Sequence, residues 1–267
     1  MSTACARRSR RLLSVLVVLG AAAWLAGPAA AEIDPAKLPA AKAAAASLLA
    51  MAKGSETSGR LPRENDPAAK PLLDAVFDAS DVGAGRAVSV QELTPLSERM
   101  VTGARVGTAY MLAGTGAADL GTLAQDPKAD EKVNLNVVKF APEMGHFLDF
   151  QLRIQGAIVE AVLARIATAR PGDAATPTFQ TGIAQIRRSS LRTVASVIET
   201  LAVDGLSDDW RRARLPALGA IGPRLAKFLQ PDQKTELQTL VAACADMMSD
   251  TQVKQGLRAF GRTIAGG

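Results

Sequence analysis

The chain predicts an all-α fold: a single multi-helix bundle of about eight or nine helices behind a cleaved signal peptide. Three observations lead there. Helix-start signals of one kind recur along the chain. Apolar residues return at helical spacing, in runs too long for strands. Aromatic residues make up only 4% of a chain that is 48% hydrophobic, so the core must be built mainly from Ala, Leu, Val and Ile, which suits closely packed helices.

Residues 1–31 read as an export leader. Arg7, Arg8, Arg10 and Arg11 precede the apolar run "LLSVLVVLGAAAWLAG", and small residues Ala29 and Ala31 occupy the −3 and −1 positions of a peptidase site. Cleavage is expected after Ala31, placing the 32–267 all-helical domain in the periplasm. The stretch "SRRLLS" resembles part of a twin-arginine export signal, so general secretory and twin-arginine export both stay open. The apolar run is shorter than the roughly 20 residues a span needs. The cleaved chain is therefore not expected to be an integral membrane protein.

Loss of the leader changes the charge balance. The whole chain carries 31 basic and 26 acidic residues, for a net +5. Four of the basic residues are leader arginines, so 27 face 26 afterwards and the net falls to +1. Nothing in that balance points to nucleic acid as a partner. Cys5 leaves with the leader, and Cys244 alone cannot form an internal disulfide.

The helices follow in order. A capping oxygen followed by a proline with preset φ opens a helix well. Such pairs occur at Asp34-Pro35, Asp66-Pro67, Thr94-Pro95, Asp126-Pro127 and Thr176-Pro177. Ser207 before Asp208 and Asp209, and Ser249 with Gln252, supply two further starts. The expected helices are 35–53, 67–79, 95–114, 127–141, 142–169, 177–204, 208–229, 231–248 and 250–264. Pro216 and Gly222-Pro223 are expected to kink or break the helix over 208–229. "VNLNV", from Val133 to Val137, alternates like a strand, but it has no partner strand and is assigned to a helix. Apolar stripes include Ile183, Ile186, Val194, Val197 and Leu201, then Leu237, Leu240, Val241, Cys244 and Met248.

The only histidine, His146, lies in "APEMGHFLDF" with Glu143 three residues before it and Asp149 three residues after it. Glu143, His146 and Asp149 are the candidate metal ligands. A Glu-x-x-His pair serves four-helix di-iron sites, but such a site needs a second histidine and further glutamates. "GHFLD" also departs from the Gly-x-His-x-x-Glu motif of helical imelysin-like proteins, so it assigns no family. Phe140, Met144, Phe147, Ile154 and Ile158 form the core face of this helix. His146 falls roughly 100° from Phe147, on the flank. The expectation is a half-buried histidine held by a carboxylate, with Asp149 turned toward solvent.

Arg187, Arg188 and Arg192, then Arg211, Arg212 and Arg214 beside Trp210, form two basic clusters. If they adjoin, they are the candidate surface for lipid headgroups, nucleotides or an acidic envelope protein. The more ordinary reading is a solvated face balanced by Asp204, Asp208 and Asp209. Trp210 reads equally as a packing staple or an interface anchor. "GARVG" (Gly103 to Gly107) predicts a close helix crossing, or a face with room for an acyl chain beside Met100, Val106 and Tyr110. No phosphate loop, nucleophile elbow, zinc spacing or dinucleotide fingerprint occurs, and no cofactor is expected. The leading expectation is an exported, non-enzymatic binding or accessory protein acting on a cell-envelope component or protein partner. The alternatives are a carrier of an apolar ligand between helices, or a metal-dependent protein using Glu143 and His146.

Overall fold

The computed structural model describes residues 34–55, 61–82 and 89–266. The expected leader and its cleavage point lie outside the described residues. Among those described, eleven α-helices and no strand are present. They are α1 (Lys37–Ser55), α2 (Lys70–Val76), α3 (Leu93–Leu112), α4 (Leu120–Leu123), α5 (Ala129–Lys139), α6 (Ala141–Thr168), α7 (Pro171–Ala174), α8 (Pro177–Leu201), α9 (Asp208–Phe228), α10 (Pro231–Met247) and α11 (Thr251–Ala265). The two helices beyond the expected nine are the single turns α4 and α7, which fall in stretches whose sequence reads as loop.

The bundle is layered around α6. On one side α6 packs against α3, which in turn packs against α1. On the other it packs against α9 and α8, and these lead outward to α10 and α11. A helix covered from both sides must be apolar nearly all round. Accordingly Phe147, Phe150, Ile154, Ile158 and Val159 are each at most 2% exposed. One contiguous apolar cluster runs from Ala44 to Ile264, and Cys244 lies fully inside it.

The close crossing of α3 and α6 depends on two glycines. A Cβ at Gly103 would sit 2.5 Å from Phe150 Cε1, and one at Gly107 2.6 Å from Phe147 Cε1. Phenylalanine rings fill these notches, so this face holds no room for an acyl chain. Phe77 completes the cluster, its centroid 5.9 Å from Phe147 and 5.7 Å from Phe150.

Several helix starts differ from expectation for local reasons. Asp34, Asp66 and Asp126 each accept a hydrogen bond from the N–H two residues on, at 2.9, 2.9 and 2.8 Å. These are Asx-turns, and the helices begin about one turn later. Thr94-Pro95 is not a start at all. A 3₁₀ turn over Val90–Glu92 leads straight into α3, and Ser89 N–H donates to the Glu92 carboxylate at 2.6 Å. Asp250, not Ser249, caps α11 by accepting from Val253 N–H at 2.8 Å. Thr176 and Ser207 cap α8 and α9 as expected, and Val133 to Val137 is helical.

Of the kink or break expected in α9, the break is absent. The helix continues through Pro216 and Pro223. Both prolines are exposed, while Leu218, Ile221 and Leu225 are buried on the opposite side. Each proline removes a bond only on the outer face, where water can reach the carbonyl, and packing of the inner face keeps the helix unbroken.

Candidate functional site

The first turns of α6 project a row of polar side chains into the surrounding layers. Pro142 occupies the first turn of the helix, and Glu143 beside it meets the positive end of the helix dipole. Glu143 is 1% exposed. Its Oε1 accepts from Glu64 N–H at 2.7 Å and lies 3.3 Å from Arg63 Nε. Its Oε2 is buried without a hydrogen-bond partner. Tyr110 donates its hydroxyl to the Pro62 carbonyl at 2.8 Å. Burial, then the nearby Glu143 charge, push the Tyr110 phenol well above its usual range. The Arg63 guanidinium lies 4.8 Å from the Phe140 ring centroid. Residues 62–64 are therefore clasped onto α6.

His146 joins the same clasp. Its Nε2 is 3.0 Å from Glu64 Oε1, and both side chains are about one-third exposed. This is the half-buried histidine held by a carboxylate, with the partner supplied 82 positions away. Asp149 differs from expectation. Instead of facing solvent it turns to α9, where Arg214 reaches its Oδ2 from Nε at 3.2 Å and from Nη2 at 3.0 Å. Glu143 and His146 thus both meet Glu64, one at its backbone N–H and the other at its carboxylate, while Asp149 turns away to Arg214. Among the described residues no group of three His, Cys, Asp or Glu side chains is arranged to hold a metal ion.

The two arginine clusters do not form one continuous cationic surface. Arg187 donates to the Phe228 carbonyl at 2.8 Å and stacks on the Phe228 ring. Arg211 closes the end of α8, donating to the carbonyls of Leu201 and Val203, both at 2.9 Å. Arg212 bridges Asp209 and Asp250, and Arg214 holds Asp149. Arg188 and Arg192 remain exposed on α8, with no hydrogen bond or ion pair among the described residues. Trp210 acts as a staple: its indole N–H donates to the Ala141 carbonyl at 2.6 Å, and Arg214 lies over its ring.

Two depressions flank α6. A cleft of 180 Å³ opens between α6 and α9, with Val82, Leu152, Ala157, Pro216, Ala217 and Ile221 among its lining. Alanines at 157, 217 and 220 leave a gap that larger side chains would close. Its rim carries Arg153, and Glu160 paired with Arg224 at 2.8 Å. Gly156 lets that arginine cross α6 closely, since a Cβ there would sit 3.3 Å from Arg224 Nη1. An open trough of 530 Å³ lies beside the cleft, bordered by Asp74, Phe77, Asp78, Ser80, His146 and Arg153. At Asp78 burial opposes ionisation, but hydrogen bonds from Lys37 and Ser80 outweigh it and hold the carboxyl at about 2.

Sequence reading missed this cleft, and it missed Arg99. Arg99 is 1% exposed, and its guanidinium grips both oxygens of Asp81, at 2.9 and 3.1 Å, while also donating to the Asp78 carbonyl. The available signal was a charge three residues after Leu96, on the inward face of α3. No family model matches the chain, and comparison with curated proteins and with solved structures gives no match. No helix among the described residues is long and apolar enough to cross a membrane.

Proposed function

We propose that the protein is an exported, non-enzymatic binding protein that takes a small, partly apolar ligand into the cleft between α6 and α9. The observation behind this reading is the cleft itself, which has an apolar floor and a charged rim. Ligand sites commonly combine these features. Export rests on the leader in residues 1–31. Native mass spectrometry of protein purified from its own periplasm tests both parts. The expected species is a chain beginning at Glu32 that carries a small bound mass, released on denaturation. A bare polypeptide under gentle ionisation, with no displaceable mass, would count against the binding role.

Arg188 and Arg192 favour a second reading, an accessory protein that docks on an acidic envelope protein or lipid. They are one turn apart on α8, exposed and unengaged within the described residues. Arg188→Glu with Arg192→Glu is then expected to abolish binding to anionic liposomes or to an acidic partner while helicity is unchanged. Binding that survives the double reversal returns both residues to an ordinary solvated face.

A further inference from the structure

Arg153 stands where the two depressions meet, since it lines both the apolar cleft and the open trough. It is exposed and makes no hydrogen bond or ion pair among the described residues. The other charges along these walls are engaged. Arg224 holds Glu160 at 2.8 Å, His146 meets Glu64 at 3.0 Å, Lys37 reaches Asp78 at 2.7 Å, and Lys70 lies 3.2 Å from Asp74. Among the described residues, Arg153 is left as the cation on this rim without a counter-charge.

We infer that the cleft binds an amphipathic monocarboxylate, its head on Arg153 and its apolar tail against Leu152, Ala157, Pro216 and Ile221. This inference rests on the binding role proposed above and specifies its ligand class. The volume sets the tail. An apolar cavity of about 150 Å³ holds a benzene-sized molecule, so a cleft of 180 Å³ takes a ring or chain of about six carbons. The guanidinium sets the head. Its planar fork matches one carboxylate through two parallel hydrogen bonds. A phosphate head, with nearly two charges, would call for a second unengaged cation, and Arg224 is already held by Glu160. A cationic head would meet Arg153 as a like charge. The trough beside Arg153 leaves the head wet and accessible, so the ligand can enter tail first.

The test is an amide chemical-shift titration with sodium heptanoate and, separately, with 1-heptanol. Three proteins are used: the wild type, Arg153→Gln and Ala217→Phe. Arg153→Gln keeps the fold, because the native side chain is exposed and unbonded. With the wild type, both ligands are expected to shift amides of α6 and α9 around Ala157, Ala217 and Ala220, heptanoate at lower concentration. Arg153→Gln should weaken heptanoate at least tenfold and leave 1-heptanol unchanged. Ala217→Phe, which fills the cleft, should weaken both. Equal binding of the two ligands, with no effect of Arg153→Gln, overturns the carboxylate inference and leaves the cleft as a binding site. No shift of these amides by either ligand overturns the cleft reading, and this inference with it.

Discussion

Phe147→Ala is expected to cost about 3–5 kcal/mol of stability, while His146→Ala, one position away, costs about 1 kcal/mol or less. Phe147 is 2% exposed, packs beside Phe77 and fills the notch left by Gly107. Truncation removes the ring from a layer where α3 and α6 approach too closely to collapse further, so the cavity persists. His146 is about one-third exposed and keeps one carboxylate contact that water can replace. Denaturant titration of both variants, beside elemental analysis, is the measurement. Equal losses would mean that the Glu64 clasp contributes far more than an exposed pair. A stoichiometric metal lost only with His146→Ala would make the Glu143–His146 pair a site after all.

Arg99→Met is expected to cost a similar amount, about 3–5 kcal/mol. The substitution takes the two-pronged guanidinium away from Asp81, whose side chain is 8% exposed. It also removes the donor that satisfies the Asp78 carbonyl. The cost comes from stripping a buried carboxylate of its guanidinium, since replacing both partners by apolar groups is often close to neutral. The double variant Arg99→Met with Asp81→Leu should therefore recover much of the loss. Losses that simply add in the double variant would show that the pair is not coupled, and that Arg99 matters only for its bulk.

How legible this protein was depended on the range of the interaction. The helix over 177–201 could be read because Thr176 caps it and Ile183, Ile186, Val194, Val197 and Leu201 repeat along one face. The core placement of Phe147 and Cys244 followed from the same periodicity. Boundaries were weaker where one residue type serves two local geometries. Asp66 and Asp126 could cap a helix directly or form an Asx-turn ahead of it, and both took the turn. Proline at 216 and 223 reads locally as a break, yet burial of Ile221 and Leu225 kept α9 continuous.

The polar residues show the limit most clearly. A flank position predicted a carboxylate partner for His146, but not that Glu64 would supply it. Six clustered arginines predicted a surface, and four of them became internal braces: Arg187 on Phe228, Arg211 on the end of α8, Arg212 on Asp209 and Asp250, and Arg214 on Asp149. A charge carries no periodic signal that distinguishes a solvated end from one spent on a distant carbonyl.

Helical class and the inward faces follow from sequence alone, because backbone spacing and apolar burial are repeated, short-range and additive along each helix. The close crossing of α3 on α6 was legible for the same reason, since two glycines at i and i+4 make a notch whatever lies across it. The cleft beside Arg153 belongs to the tertiary structure. It exists because alanines on α6 and α9, separated by about 60 positions, meet at one level, while among the described residues the neighbouring Arg224 is held by Glu160 and Arg153 stays unengaged. Such a vacancy is a property of two surfaces in contact, and neither helix carries it by itself.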